Sequence, residues 1–302
     1  MLSHRFLLNR TSLSAIANNL CAFKSAMSMS NFKMSNSSAP TQRHTSQYCQ
    51  ISESDGIREI CLNEPKTRNT LSLGMMKEIL SALTQSWDDK QLRCIVISST
   101  GPIWSSGHDL KELLPERGED QQKAIFDKLT EIIFSIRKAP VPVMAKVNGT
   151  VAAGGVQLVA SCDIVICSDK SSFITPSANF GIFASTPAIA MSRIMSHSKC
   201  LDMLMTGHPI TARDAYIQGM VSRVVPESEL DNEIVKITNA IKEKSRAVLA
   251  LGKEFFYKQL ELSIEEAYKL GSLKMTENLK LSDSQEGVKS FMEKRKPVWS
   301  HL

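Results

Sequence analysis

Two short stretches place glycine where a reacting group would need backbone rather than side chain. They are Ser105-Ser106-Gly107-His108-Asp109-Leu110 and Asn148-Gly149-Thr150-Val151-Ala152-Ala153-Gly154-Gly155. The first follows an apolar, strand-like run and its turn; the second opens a helix. Amides at a helix start carry partial positive charge and can hold an anion. Two such donors aimed at one carbonyl oxygen would stabilise an enolate or a tetrahedral species. Glycine turns alone are common and mostly just permit tight geometry. Asp109, directly after a glycine turn, reads as a helix N-cap rather than a catalytic carboxylate. Other catalytic patterns are absent from the sequence: no Gly-x-Ser-x-Gly elbow, no His-Glu-x-x-His pair and no phosphate-binding P-loop. His197, His208 and His301 have no ligand-like spacing, so no metal is expected.

The elements needed to hold these stretches are legible. Ile57 to Leu62 alternates as a half-buried strand should, and Asn63-Glu64-Pro65-Lys66 breaks it. Ser72 is placed to cap an amphipathic helix reaching about Trp87. Arg93 to Ser98 holds a β-branched run ended by Ser99-Thr100-Gly101-Pro102. A polar helix is expected near 121–137, then a strand over 141–147, the Asn148-Gly149 turn, an apolar helix from Gly154, and a strand near 163–167. Strands alternating with helices imply an α/β domain with largely parallel pairing. From Thr211 the pattern is helical to the end, except for Val221 to Val225.

The 302 residues carry 36 basic and 31 acidic side chains. No acidic residue precedes Glu53, while Arg5, Arg10, Lys24, Lys33 and Arg43 do. Removing those five from the 36 basic residues leaves 31, equal to the acidic count, so the whole +5 sits in the leader. A basic, Ser-rich, acid-free start with Leu2, Phe6, Leu13, Ile16 and Leu20 on one helical stripe reads as a mitochondrial transit peptide, and so a matrix location. The remainder is formally neutral, which argues against a nucleic-acid partner. No apolar run approaches the ~20 residues of a membrane span. Seven cysteines without any Cys-x-x-Cys pair are expected to be buried free thiols.

The ordered set of motifs resembles the enoyl-CoA hydratase (crotonase) superfamily. It comprises Asn63-Glu64-Pro65-Lys66-Thr67-Arg68-Asn69-Thr70-Leu71-Ser72, Ser106-Gly107-His108-Asp109-Leu110, Val147-Asn148-Gly149 with Gly154-Gly155, Ser161-Cys162-Asp163-Ile164, and Glu286-Gly287-Val288-Lys289-Ser290-Phe291. The resemblance implies an α/β crotonase spiral of strand-strand-helix repeats with a helical C-terminal oligomerisation region building a homotrimer or hexamer. It divides the chain into a leader (1–50), a crotonase core (51–210) and a helical region (211–302). It also implies a coenzyme A thioester as substrate or ligand, with no further cofactor, and an oxyanion hole from the amides of His108 and Gly154. On that reading the His108 side chain merely occupies a position whose backbone matters. Lys66 and Arg68 would lie near the CoA phosphates. Phe291 and Lys294 would reach the adenosine end, often from a neighbouring subunit.

The sequence departs from the family where hydration is done. Hydratases place two glutamates around the substrate, one to take a proton and one to deliver it; here those positions are Gln157 and Ser177. Glutamine does not ionise, and serine needs an activating partner. Losing one general acid–base group costs roughly 10²–10⁴ in rate. Efficient hydration is therefore not expected. The expected function is acyl-CoA binding in fatty-acid metabolism with altered or weak enolate-type chemistry, of lyase or isomerase type. The alternative is a catalytically silent CoA-thioester binder or regulatory protein. Some decarboxylases of the superfamily share Gly-His-Asp, and decarboxylation needs no base to remove a carbon-bound proton; the tyrosine they can use near Gly181 has no counterpart in Ile182-Phe183-Ala184.

Overall fold

In the computed structural model, residues 42–301 are described. The expected transit-peptide stripe, Leu2 to Leu20 with Arg5 and Arg10, lies outside them. Among the described residues the larger sheet has seven strands: β1 (Gln42–Thr45), β2 (Cys49–Ser54), β3 (Ile57–Leu62), β4 (Cys94–Ser99), β6 (Val143–Val147), β8 (Ile164–Ser168) and β11 (Arg223–Val225), in that spatial order. The smaller sheet contains β5 (Ile103–Ser105), β7 (Thr150–Ala152), β9 (Ser172–Ile174) and β10 (Ile210–Thr211), ordered β10-β9-β7-β5.

The spiral is visible in how the chain leaves each central strand. β4 runs into β5, β6 into β7 and β8 into β9, each after a tight turn, so the chain steps from the large sheet to the small one. Helices complete these turns: α1 (Leu73–Thr84) precedes the first, and α2 (Glu119–Lys138), α3 (Gly154–Ala160) and α4 (Ser185–Met191) follow in sequence. Parallel neighbours such as β4, β6 and β8 require crossovers of this kind. The α/β crotonase-like spiral expected from the motifs is the fold observed.

Burial follows the sequence pattern. β3 alternates half-buried and buried residues, as its period-2 pattern requires. In β4 both faces are covered. Ile95 and Ile97 join the main core with Met75, Met76, Ile79 and Leu83 of α1; Cys94 and Val96 face the other way. There they meet Leu230, Ile234 and Ile237 of a helix over Leu230–Lys242. Each such fully buried side chain contributes about 1.5–3 kcal/mol. Ser72 caps α1 by accepting from the Met75 amide, as expected. That helix stops at Thr84 rather than Trp87, because the Trp87 indole N–H donates to the Leu83 carbonyl at 2.6 Å, satisfying one of the acceptors a helix end leaves open.

Two results differ from the sequence reading. Gln42–Thr45 and Cys49–Gln50, placed with the leader, belong to the sheet: β1 pairs antiparallel with β2, and β2 with β3. β1 (Gln-Arg-His-Thr) has no apolar period to betray it; pairing alone makes it a strand. The small sheet was also largely hidden, since its strands have only two or three residues each.

The remaining helices are α5 (His197–Thr206) and α6 (Ala212–Ile217), interleaved with β10 and β11, and then α7 (Leu230–Lys242), α8 (Arg246–Gln259), α9 (Ile264–Leu279) and α10 (Ser282–Met292). The last three hold few buried residues and expose Phe256, Leu260, Ile264, Tyr268, Met275 and Phe291. α8 is tied to the core by Asp163, whose carboxylate accepts from Lys253 Nζ and Tyr257 O–H (2.6 Å each) and from the Val143 amide.

Candidate active site

The two glycine-bearing stretches meet because β5 and β7 are parallel neighbours. β5 delivers the 105–110 loop and β7 delivers the start of α3, so both loops leave the small sheet side by side. A buried clamp fixes the first loop. Asn69, fully buried, accepts from the Glu64 amide and donates to the Thr100 and Ile103 carbonyls. Ser105 Oγ donates to the Asn69 carbonyl and accepts from the Gly107 amide at 3.2 Å. The Gly107 carbonyl accepts from the Leu71 amide.

Gly107 has φ +83°, and a Cβ there would stand 2.9 Å from the Gly154 nitrogen. Only glycine gives both this dihedral and this approach. On the opposite side Ala153 takes φ 48°, ψ −116°, a rare conformation for a residue with a Cβ. Among the described residues the amides of His108 and Gly154 donate to no backbone acceptor. α3 has only seven residues, so what it offers is the individual amide rather than a long helix dipole.

Both residues line a cavity of about 370 Å³. Its wall is mostly apolar: Leu110, Leu113, Phe126, Phe180, Ile182 and Phe183 among others, with hydroxyls from Ser106, Ser177, Ser185 and Thr186. Among the described residues no carboxylate, lysine or arginine lines it, and the sole ionisable side chain there is His108. Its ring packs edge-on to Phe126, centroids 5.2 Å apart, and lies where a Cβ on Gly154 would touch it at 3.2 Å. Burial pushes His108 down to about 4, with the nearby Leu71 backbone opposing the shift, so the imidazole is neutral near pH 7. Both ring nitrogens are shut off from solvent, and among the described residues neither meets full hydrogen-bond geometry, the Leu71 backbone being the polar group beside the ring. Leaving a buried polar group unpaired costs about 1–3 kcal/mol.

These geometries answer the sequence reading residue by residue. His108, Gly154 and Ser177 come together on one cavity. Gln157 is buried one helical turn beyond Gly154 with its Oε1 unpaired, but it is not part of the cavity wall. Asp109 caps the turn 110–112 through the Lys111 amide, as expected, and stays off the wall. Lys66 and Arg68 are exposed on the 65–68 turn, which is tied to the rim because the Arg68 carbonyl accepts from the Ser106 amide. Phe291 and Lys294 are exposed at the end of α10 and do not line the cavity. The sequence reading missed the clamp of Asn69 and Ser105. No local signal marks it, since Asn69 lies between Arg68 and Thr70 and Ser105 between Trp104 and Ser106. A larger groove of about 630 Å³ between α2 and α8 lacks such features: Arg137 pairs with Glu261 there, and Tyr257 with Asp163.

A family model described as enoyl-CoA hydratase/isomerase matches residues 52–301. The chain belongs to the enoyl-CoA hydratase/isomerase family. Human enoyl-CoA hydratase domain-containing protein 3, mitochondrial, is 51% identical over 247 residues, covering 82% of each chain. The Danio rerio protein of that name is 44% identical, covering 82% of this chain and 85% of its own. The crystal structure of the human protein superposes with a TM-score of 0.81 at 48% identity, covering 86% of this chain and all of that one. An enoyl-CoA hydratase structure from Mycobacterium smegmatis gives 0.79 at 34% identity, covering 86% and 99%. Within this enoyl-CoA hydratase/isomerase chain, the strained Ala153 and, among the described residues, the two amides without a backbone acceptor mark the 370 Å³ cavity as its candidate active site. Among the described residues no helix is long and apolar enough to cross a membrane, and no group of three or more His, Cys, Asp or Glu is arranged to hold a metal.

Proposed function

We propose that this enoyl-CoA hydratase/isomerase family protein binds acyl-CoA thioesters with the thioester carbonyl on the His108 and Gly154 amides. The single observation that supports this most is that two residues whose amides have no backbone acceptor among the described residues, His108 and Gly154, line one apolar cavity beside a strained residue. Such donors stabilise charge that develops on a carbonyl oxygen, by enolisation or by addition. The chain supplies little else for proton transfer. Gln157 and Ser177 stand where hydratases carry glutamates, and among the described residues no carboxylate lines the wall. Water addition to an alkene is accordingly slow, and enolate-type chemistry is altered or weak. A mitochondrial matrix role in fatty-acid metabolism fits the basic leader and relatives named mitochondrial. Lys66 and Arg68, exposed beside the rim, suit the CoA phosphates. The apolar faces of α8 to α10 suit a homotrimer or hexamer, in which Phe291 and Lys294 serve a neighbour's adenosine end.

The neutral, carboxylate-free wall equally supports a second reading, a silent thioester binder. A mass-spectrometric turnover screen against enoyl-, malonyl- and hydroxyacyl-CoAs separates the two. Gly154→Pro serves as the control lacking one donor, with its folding checked by circular dichroism. Turnover lost in that control supports the enzyme; tight binding without turnover supports the silent binder. If no thioester binds, both readings are wrong.

A further inference from the structure

His301 lies against the start of α8, and both of its ring nitrogens face N–H groups. Arg93 Nη1 lies 2.9 Å from Nε2, and the Arg246 amide lies 3.3 Å from Nδ1. A guanidinium cannot accept a hydrogen bond, and neither can a backbone amide. A neutral imidazole has one lone-pair nitrogen, so it serves only one of these donors, whichever tautomer it adopts. A protonated ring serves neither. The surroundings offer no relief. Arg93, just ahead of β4, also donates from Nη2 to the Lys242 and Lys244 carbonyls. Arg246, the first residue of α8, holds the Trp87 and Leu92 carbonyls. Both cations are thereby fixed beside the ring. Among the described residues the carboxylate acting on it is Asp283 of α10, which is 1% exposed. Asp283 already accepts from Ser245 Oγ, from the Ser300 amide and hydroxyl, and from the His301 amide. Burial disfavours its charge, but these hydrogen bonds outweigh that and keep it below the usual carboxylate range. It stays ionised, and in place, while His301 titrates.

We propose that Trp299–His301 form an acid-released latch on the turn between α7 and α8, docked while the His301 ring is neutral and let go when a proton on it confronts Arg93 and Arg246. The docked state then loses a hydrogen bond and gains like-charge repulsion. Linkage gives the sign. Burial and then Arg93 lower His301 below 6.5, with Arg246 adding and Asp283 opposing, so the free segment binds the proton more tightly than the docked one. Docking is full above 6.5 and weakens as pH falls from there towards the folded value. The released piece is short. Trp299 is held by its indole N–H on the Glu243 carbonyl and lies over Gly287, where a Cβ would stand 3.3 Å from its ring. One residue earlier the Val298 amide donates to Glu286. Hydrogen bonds from Arg295 hold Glu286 down to about 2, so that tie survives the same acid.

The test is fluorine NMR of the full chain labelled with 5-fluorotryptophan, read from about pH 8 to about pH 5, across the range in which histidine titrates. Trp299 is assigned by Trp299→Phe, and the fully buried Trp104 is the internal reference. Two variants set the end states. His301→Gln keeps an acceptor that acid does not remove, and is expected to hold Trp299 docked throughout. His301→Arg carries a permanent cation and is expected to release it even at about pH 8. The unaltered chain is expected to move from the first state to the second, its released fraction rising up to about tenfold per pH unit below 6.5. A Trp299 signal that stays constant across the range in the unaltered chain overturns the proposal, as does an equal shift in His301→Gln. Identical signals from the two variants at about pH 8 overturn it too, because a cation at this position would then leave the latch closed.

Discussion

The α-carbon of Gly107 and the amide nitrogen of Gly154 stand against each other, so closely that a Cβ on the first would lie 2.9 Å from the second. Two loops from separate turns of the spiral are thereby locked at one point, and both candidate oxyanion donors depend on that contact. Gly107→Ala should cost about 1–3 kcal/mol through its positive φ and the clash with backbone. It should also weaken acyl-CoA binding roughly 10–100-fold by parting the two amides. Thermal melting and calorimetry read the two effects; wild-type affinity in the alanine variant would show that the amides do not act together.

Asn69 is expected to be the costliest polar residue near the site. Asn69→Ala leaves the Glu64 amide and the Thr100 and Ile103 carbonyls without their partner. The loss should be about 2–4 kcal/mol in denaturant unfolding. Asn69→Asp should be no better, because it keeps the acceptor but turns a carboxylate toward two carbonyls. A near-neutral Asn69→Ala would mean that the turns hold without the clamp.

The tie between α8 and the core is testable away from the site. Lys253 and Asp163 form a 2.6 Å ion pair with side chains only 9% and 15% exposed. Lys253→Met removes the cation and leaves Asp163 charged in a poor environment, which should cost about 3 kcal/mol. Tyr257→Phe, losing one hydrogen bond to the same carboxylate, should cost about 1 kcal/mol. Burial and Asp163 push the Tyr257 hydroxyl up, so it stays protonated across the useful range. Unchanged unfolding midpoints for both variants would refute the tie.

His108 should also write itself into the pH dependence of stability. Its folded value is lowered to about 4 from 6.5. Between those values the unfolded chain binds the proton and the folded one does not, so stability falls as pH drops from 6.5 to 4 and this contribution levels off below. The full effect is about 3 kcal/mol at most. His301, lowered by burial and by Arg93, contributes in the same direction. The measurement is therefore the difference between wild type and His108→Phe in unfolding titrations. A constant difference across that window would show that His108 titrates normally.

Much was legible in the sequence because its signals are local. Alternation in Ile57–Leu62, the Ser72 cap, the apolar run of β4 and the order of glycine loops belong to neighbouring residues, and each became the element it suggested. β1 and the short strands of the second sheet were not legible, since two to four residues carry no period and become strands only through partners elsewhere in the chain. The same holds at the site. Sequence placed His108 by its amide and treated the side chain as incidental. Whether that imidazole is solvated or buried depends on Phe126 of α2 and Gly154 of α3, which only the spiral brings to it. Desolvation and an unpaired ring are properties of an environment rather than of a residue type, so tertiary structure alone could decide them.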